Sequence, residues 1–232
     1  MLTSTVAILH DNGGHGEDHY VVRPLNDNTF LDAVMDGVTG RRGSDASRAV
    51  AEALSAATPN SSDDVVALLE EVNQRLYHRG WGRFFLTTVA AAFCQGNQLS
   101  VLGAGDSPVF LIRADTVQQL CAHVKGFLQG GLVQAIGMQK TLSALYRAEV
   151  MLKPGDRLVL MTDGITENIP ANDIAHLVRS AASADDVVTR FRTIMTTRRA
   201  QSQQGAVPRE GFKNVDWTVI VRFFGECGAQ QF

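Results

Sequence analysis

The chain has 232 residues, 45% hydrophobic and 19% charged, with a formal net charge of -3. That length and composition fit a globular protein with a sizeable core, and residues 1–232 read as one domain because no linker-like stretch divides them. The mild acidity excludes a general attraction to nucleic acid or to an anionic membrane, and no segment approaches the ~20 apolar residues needed to cross a bilayer. The N-terminus MLTSTVAILHDN lacks the basic and apolar regions of an export signal, so a cytoplasmic location is expected. Cys94, Cys121 and Cys227 are odd in number and lie in no Cys-x-x-Cys spacing, which predicts buried or incidental thiols rather than a disulfide framework or a zinc-thiolate site.

Strands are predicted at about 3 to 9, 19 to 23 and 29 to 35, between turn signals such as Asn12-Gly13 and Asn26-Asp27. Two helical patterns follow, SDASRAVAEALSAA and SSDDVVALLEEVNQRLY. The second sets Val65, Leu68, Leu69, Val72 and Leu76 on one face behind a Ser61/Asp64 cap. The stretch FFLTTVAAAFCQGNQLSVLGAGDSPVFLIRA and a strand near 145 to 151 have short turns between apolar runs. They predict an antiparallel meander and exclude a simple Rossmann arrangement. Helices near 171 to 182 and 185 to 203, the second opened by Ser183 and Asp186, precede a closing strand WTVIVRFF. Strands and helices fall in separate blocks, so the expected fold class is layered α+β, antiparallel sheet between helix pairs.

Two apolar runs, TFLDAVMDGVTG and LVLMTDGITEN, end in Asp-Gly, at Asp36-Gly37 and Asp163-Gly164. A strand covered on both faces delivers whatever follows it to the rim of a packed sheet. The glycine permits a tight turn and leaves the peptide carbonyl open. Alone, an Asp-Gly reads as a turn; two in matched contexts read as a site. Further acids stand at strand ends or in glycine-bearing turns: Glu17 and Asp18, Asp106 in GAGDS, and Asp216 before the last strand. Carboxylates so distant in sequence converge only through the fold, and once together they repel unless cations neutralise them. Oxygen donors of this kind suit Mg²⁺ or Mn²⁺.

The order and wording of GEDHYVV, VMDGVTG, FLTTVAAAF, LSVLGAGDSPVFLIR, LKPGDRLVLMTDGITE and VDWTVIVRF resemble the metal-dependent protein phosphatases of the PPM, or protein phosphatase 2C, family. The resemblance spans most of the chain and lies nearest the compact bacterial branch that includes sporulation and stress-response phosphatases. It implies a four-layer αββα sandwich, two mostly antiparallel sheets flanked by helix pairs, with two Mn²⁺ or Mg²⁺ ions at one end and a third in some members. Carried over by position, Asp36 bridges both ions, the Gly37 carbonyl binds one, and Asp163 and Asp216 bind the other. Glu17 and Asp18 match the first acidic pair, and Asp106 matches the acid that holds the weaker third ion. The implied activity is hydrolysis of phosphoserine or phosphothreonine in a phosphorylated protein substrate, by water activated between two cations, with Asp36, Asp163 and Asp216 carrying it.

Several positions depart from the family pattern. The arginine that grips phosphate in many members is Gly13 here, with His15, His19, Arg41 and Arg42 as candidate replacements. A histidine after the first Asp-Gly is Val38, the usual asparagine after the last Asp is Trp217, and the frequent arginine after GDS is Pro108. The segment from about 114 to 144 is short for a large flap. Two alternatives stay open: a histidine-ligated metallohydrolase suggested by HGEDH at 15 to 19, and a pseudophosphatase acting as a partner-binding module. For the second, Arg190, Arg192, Arg198 and Arg199 are a candidate face for an acidic partner. His10, His78, His123 and His176 read as surface or structural histidines.

Overall fold

The computed structural model describes residues 2–114, 116–121, 134–204 and 211–226; Cys227, His123 and part of the 114 to 144 segment lie outside these. In chain order the first half gives β1 (Leu2–Asp11), β2 (Asp18–Asn26), β3 (Thr29–Asp36), α1 (Gly43–Ala56), α2 (Ser62–Gly80), β4 (Val89–Gln95) and β5 (Gln98–Ala104). The second half gives β6 (Val109–Arg113), β7 (Thr116–Cys121), β8 (Tyr146–Met151), β9 (Arg157–Met161), α3 (Asp163–Thr166), α4 (Ala171–Ser180), α5 (Ala184–Gln203) and β10 (Trp217–Glu226). Two five-stranded antiparallel sheets form, ordered β2-β3-β4-β5-β8 and β1-β10-β9-β6-β7.

Three apolar cores stack these elements into helices, sheet, sheet, helices. Leu31, Ala33 and Met35 of β3 pack with Val50 and Leu54 of α1 and with Leu69 of α2. The opposite face of the same sheet, with Val34, Ala92 and Leu99, meets Val109, Leu160 and Ile220 of the second sheet. Beyond that sheet, Val159 and Val219 pack with Val178 of α4 and Phe191 of α5. The strand β3 thus lies between two cores, and its first seven residues are all buried. This is why its sequence runs apolar without alternation. The layered α+β expectation and the αββα arrangement describe this architecture.

The helix starts follow their caps. Asp64 N–H donates to Ser61 Oγ and Ser61 N–H donates to Asp64 Oδ2, both at 3.2 Å, which closes a capping box on α2. Ser183 caps α5, accepting from Asp186 N–H at 3.1 Å. On α2 the residues Val65, Leu69, Val72 and Leu76 are buried, while Leu68 is only partly covered. Cys94 and Cys121 are buried free thiols. Among the described residues no helix is long and apolar enough to cross a membrane.

The middle of the chain is not one meander. The hairpin β4-β5 stays in the first sheet, β6-β7 belongs to the second, and β8 returns to the first. The switch occurs at Gly105-Asp106-Ser107-Pro108. Gly105 has φ +107°, a conformation that needs glycine, and Pro108 cannot donate to a continuing ladder. The strand β7, TVQQLC, was not predicted because four of its six residues are exposed and no apolar alternation marks it. The arginines of α5 are largely engaged within the protein: Arg190 pairs with Asp186 at 2.7 Å, Arg198 donates to the Asn168 carbonyl, and Arg199 pairs with Asp11 at 3.0 Å.

An ion pair ties the two sheets together. Arg222 of β10 donates from Nε and Nη2 to the two oxygens of Asp32 of β3, at 2.8 and 2.9 Å. Asp32 is fully buried, and the guanidinium also lies 3.9 Å from the Phe30 ring centroid. Replacing Asp32 by Ala strands the arginine in the core. We expect a loss of about 3–5 kcal/mol in urea denaturation at pH 7; a loss below about 1 kcal/mol contradicts a structural role for the pair.

Candidate functional site

Antiparallel pairing brings the C-terminal ends of β3, β5 and β9 to the same end of the sandwich as the N-terminal ends of β2 and β10. Asp36, Asp106 and Asp163 sit at or just beyond the first three; Asp18 and Asp216 sit at the starts of the other two. A cleft of 350 Å³ opens there, and Glu17, Asp36, Gly37, Asp106, Asp163 and Asp216 all line it. Asp18 is not in the lining; it is 1% exposed, and its Oδ2 accepts from Thr162 Oγ1 at 2.8 Å and Thr218 Oγ1 at 2.7 Å.

The glycines of the two Asp-Gly pairs have a different reason from the one their sequence suggests. Neither Gly37 nor Gly164 has positive φ. A Cβ on Gly37 would stand 2.3 Å from the Gly43 carbonyl carbon, and one on Gly164 would stand 2.0 Å from the Asp216 carbonyl oxygen. Each glycine lets another backbone segment approach the acid it follows. Asp163-Gly164 is also not a turn but the start of α3. That one-turn helix places Glu167 in the cleft wall four residues on. Sequence reasoning missed Glu167, as it missed Thr39, Thr88 and Val215, because only a helix start at Asp163 would have signalled it.

Asp216 is held by the loop before β2. Gly14 and His15 N–H donate to its Oδ1 at 2.9 Å each, and Glu17 N–H donates to Oδ2 at 2.8 Å. A carboxylate offers about four lone-pair sites, so one on Oδ2 is left to face the cleft. Thr88 holds the backbone of Asp36 from both sides: Asp36 N–H donates to Thr88 Oγ1 at 3.0 Å, and Thr88 N–H donates to the Asp36 carbonyl at 2.8 Å. Glu17 Oε2 accepts from Thr39 Oγ1 at 2.5 Å.

Charge is unbalanced in this cleft. Among the described residues its lining includes six carboxylates and no lysine or arginine, although Lys213 pairs with Glu167 at 2.5 Å. Burial, the Asp18 and Asp163 charges, a hydrogen bond with the Asp163 carboxyl and the Asp106 charge hold the Asp36 carboxyl well above its ordinary range. Burial pushes Asp18 up from 3.8 to about 7; Asp216 and Asp163 add to this, and the two threonine hydroxyls oppose it. Among the described residues no three His, Cys, Asp or Glu side chains converge closely enough to hold a metal as they stand. The donor chemistry nevertheless fits hard divalent cations: all the acids are oxygen donors, a backbone carbonyl at Gly37 lies beside them, and their mutual repulsion is relieved only by protons or by cations.

The candidate histidine pair separates. His15 lines the cleft, whereas His19 Nδ1 meets Ser47 Oγ at 2.9 Å, so the two imidazoles do not form a common site. Of the four replacements considered for the arginine missing at Gly13, His15 alone lines the cleft. Arg42 pairs with Asp45 at 2.7 Å, and Arg41 reaches the Arg83 carbonyl at 3.4 Å. The space at position 13 is taken by another residue: a Cβ there would lie 2.8 Å from Asp11 Oδ1 and 3.1 Å from Arg199 Nη1. Arg199 in turn lies 4.1 Å above the Trp217 ring. Gly13, Arg199 and Trp217 are therefore one packing unit.

Residues 31–206 match the family described as Stage II sporulation protein E (SpoIIE). No curated protein sequence matches the chain. Among solved structures, the serine/threonine phosphatase Stp1 from Staphylococcus aureus superposes with a TM-score of 0.79 at 18% identity, covering 95% of this chain and 95% of its own. PppA, a key regulatory component of the T6SS in Pseudomonas aeruginosa, gives 0.78 at 21% identity, covering 95% and 97%. The catalytic domain of the serine/threonine protein phosphatase PstP, in complex with two manganese ions, gives 0.74 at 20% identity, covering 97% and 100%. At these identities the likeness is one of fold.

The Asp18 shift sets a pH dependence. The unfolded carboxyl ionises from 3.8 upward while the folded one stays protonated to about 7, so folding loses stability as pH rises through that window and levels off above it. In EDTA, the melting temperature of the wild-type chain should fall more steeply between pH 5 and 7 than that of Asp18→Asn. Parallel curves contradict the buried-acid assignment.

Proposed function

The chain belongs to the Stage II sporulation protein E family, within the PP2C-like phosphatases, and from that premise we propose that it is a metal-dependent phosphatase hydrolysing phosphoserine or phosphothreonine in a protein. The observation that carries this reading is the cleft of six carboxylates with no lysine or arginine in its lining among the described residues. Asp36 and the Gly37 carbonyl, with Asp163 and Asp216, would hold two Mn²⁺ or Mg²⁺ ions, Glu17 and Asp18 would support them, and Asp106 would hold a third. Bound there, the cations would supply an activated water and offset charge on the phosphoryl oxygens.

The chain's own residues prepare that chemistry. The three N–H groups of the 14–17 loop fix Asp216, which spares reorganisation when a cation arrives. Thr39 fixes Glu17. His15, with its ring 3.4 Å from Thr39 Oγ1, is placed to donate to a phosphoryl oxygen in place of the missing arginine. Burial and the neighbouring acids hold Asp36 above its ordinary range, so a proton must leave it before it can accept cations, and activity should rise with pH.

A second reading, a partner-binding module without turnover, is favoured by the absence of an arginine from the cleft lining among the described residues. One assay separates the two. Hydrolysis of p-nitrophenyl phosphate and of a phosphothreonine peptide is compared in EDTA, Mg²⁺, Mn²⁺ and Zn²⁺, for the wild type and for Asp36→Asn and Asp163→Asn. We expect manganese- or magnesium-dependent turnover that falls more than about 100-fold in either variant, since even outer partners of metal ligands cost about 10–100-fold. No turnover with any metal selects the binding module, and full activity in the variants overturns the site.

A further inference from the structure

Trp81 is 83% exposed and Phe84 46% exposed, in the connection between α2 and β4. Trp81 ends α2 in the left-handed region at φ 53°, a conformation that bulky side chains avoid. Burial does not account for an aromatic residue kept there. Exposed Arg79 and Arg83 flank Trp81 in the chain. The Arg79 guanidinium lies 4.2 Å from the Phe85 ring centroid, and Arg41 Nη1 donates to the Arg83 carbonyl at 3.4 Å. Among the described residues Arg41, Arg79 and Arg83 form no ion pair, whereas their neighbours Arg42 and Arg48 share Asp45. A chain with a net charge of -3 therefore keeps arginines without an ion pair among the described residues in the same connection as two exposed aromatic rings.

This patch adjoins the cleft through the backbone. Phe85 N–H donates to the Arg41 carbonyl at 2.6 Å, and Val38 N–H donates to the Leu86 carbonyl at 2.9 Å. Val38 and Thr39 line the cleft on one side of this contact and Thr88 on the other. A chain whose phosphorylated residue entered the cleft would lay its flanking residues across the patch.

We propose that Trp81, Phe84, Arg41 and Arg83 form a docking surface for the segment beside the phosphorylated residue of a protein substrate, and that this segment carries carboxylates and a large apolar side chain. The proposal rests on the phosphatase reading. Aromatic rings anchor such contacts, and unpaired cations select acidic partners and repel basic ones.

The test uses two phosphothreonine peptides of equal length, one with Glu and Leu beside the phosphate and one with Ser and Ala there. Wild type, Trp81→Asn and Arg83→Ala are compared, with p-nitrophenyl phosphate as a substrate too small to reach the patch. Asparagine accepts the left-handed backbone, so Trp81→Asn keeps the loop. We expect wild type to favour the acidic peptide about tenfold in kcat/KM, through KM, the effect of losing or gaining one interface anchor. Each variant should lose most of that preference at unchanged p-nitrophenyl phosphate turnover. Equal kcat/KM for the two peptides in wild type, or a preference that survives in both variants, overturns the proposal. If p-nitrophenyl phosphate is not hydrolysed with any metal, the phosphatase reading fails by itself. Anisotropy of the fluorescently labelled peptides in EDTA then decides docking: tighter binding of the acidic peptide, lost in the variants, supports it, and equal binding overturns it. A wild-type dimer that Trp81→Asn dissolves also overturns it, by assigning the patch to a second copy of the chain.

Discussion

Carboxylates that the fold crowds at one end of two facing sheets cannot all be charged at once, and the construction of that end answers this constraint. Burial and the neighbouring acids hold the Asp36 carboxyl well above its ordinary range. Asp18 is held by two threonine hydroxyls in a fully buried position. Asp216 is fixed by three backbone N–H groups. The two glycines at 37 and 164 let neighbouring backbone come close enough to complete these arrangements. In stability terms the arrangement is unfavourable without counter-charge, which is the condition in which divalent cations add to folding as well as to chemistry.

The departures from the family's usual residues are connected in the same way. A side chain at position 13 would press on the Asp11 carboxylate and the Arg199 guanidinium, and Arg199 lies over Trp217, the residue after Asp216. An aromatic residue in place of the usual asparagine thus provides the floor for an arginine from α5. This arginine pairs with Asp11, and Asp11 Oδ1 also accepts from Gly13 N–H at 2.9 Å. The loop that holds Asp216 is consequently braced from the helix layer as well as by its own residues.

Much of the fold was legible because local patterns carried it. The apolar runs of β3 and β9 marked strands covered on both faces, and Ser61 with Asp64, and Ser183 with Asp186, marked helix starts. The acids of the site were legible because they stand where those runs end. The rest depends on contacts between residues far apart in the chain. Arg222 and Asp32 are 190 positions apart, and Arg199 and Asp11 are 188 apart; no local pattern pairs them. The transfer of the chain between sheets at Gly105–Pro108 was hidden because a hairpin turn and a crossing use the same residue types. Gly37 and Gly164 were noticed for turning, when their role is to admit another backbone.

The central claim is that the buried acids of the cleft keep protons until divalent cations displace them. Calorimetric titration of Mn²⁺ into the wild-type chain at pH 6, repeated in two buffers of different ionisation enthalpy, counts those protons directly. The account predicts binding with a clear buffer dependence, reporting the release of about one proton or more, and a smaller release at pH 8. Binding with the same heat in both buffers at pH 6, or no binding at all, would contradict it.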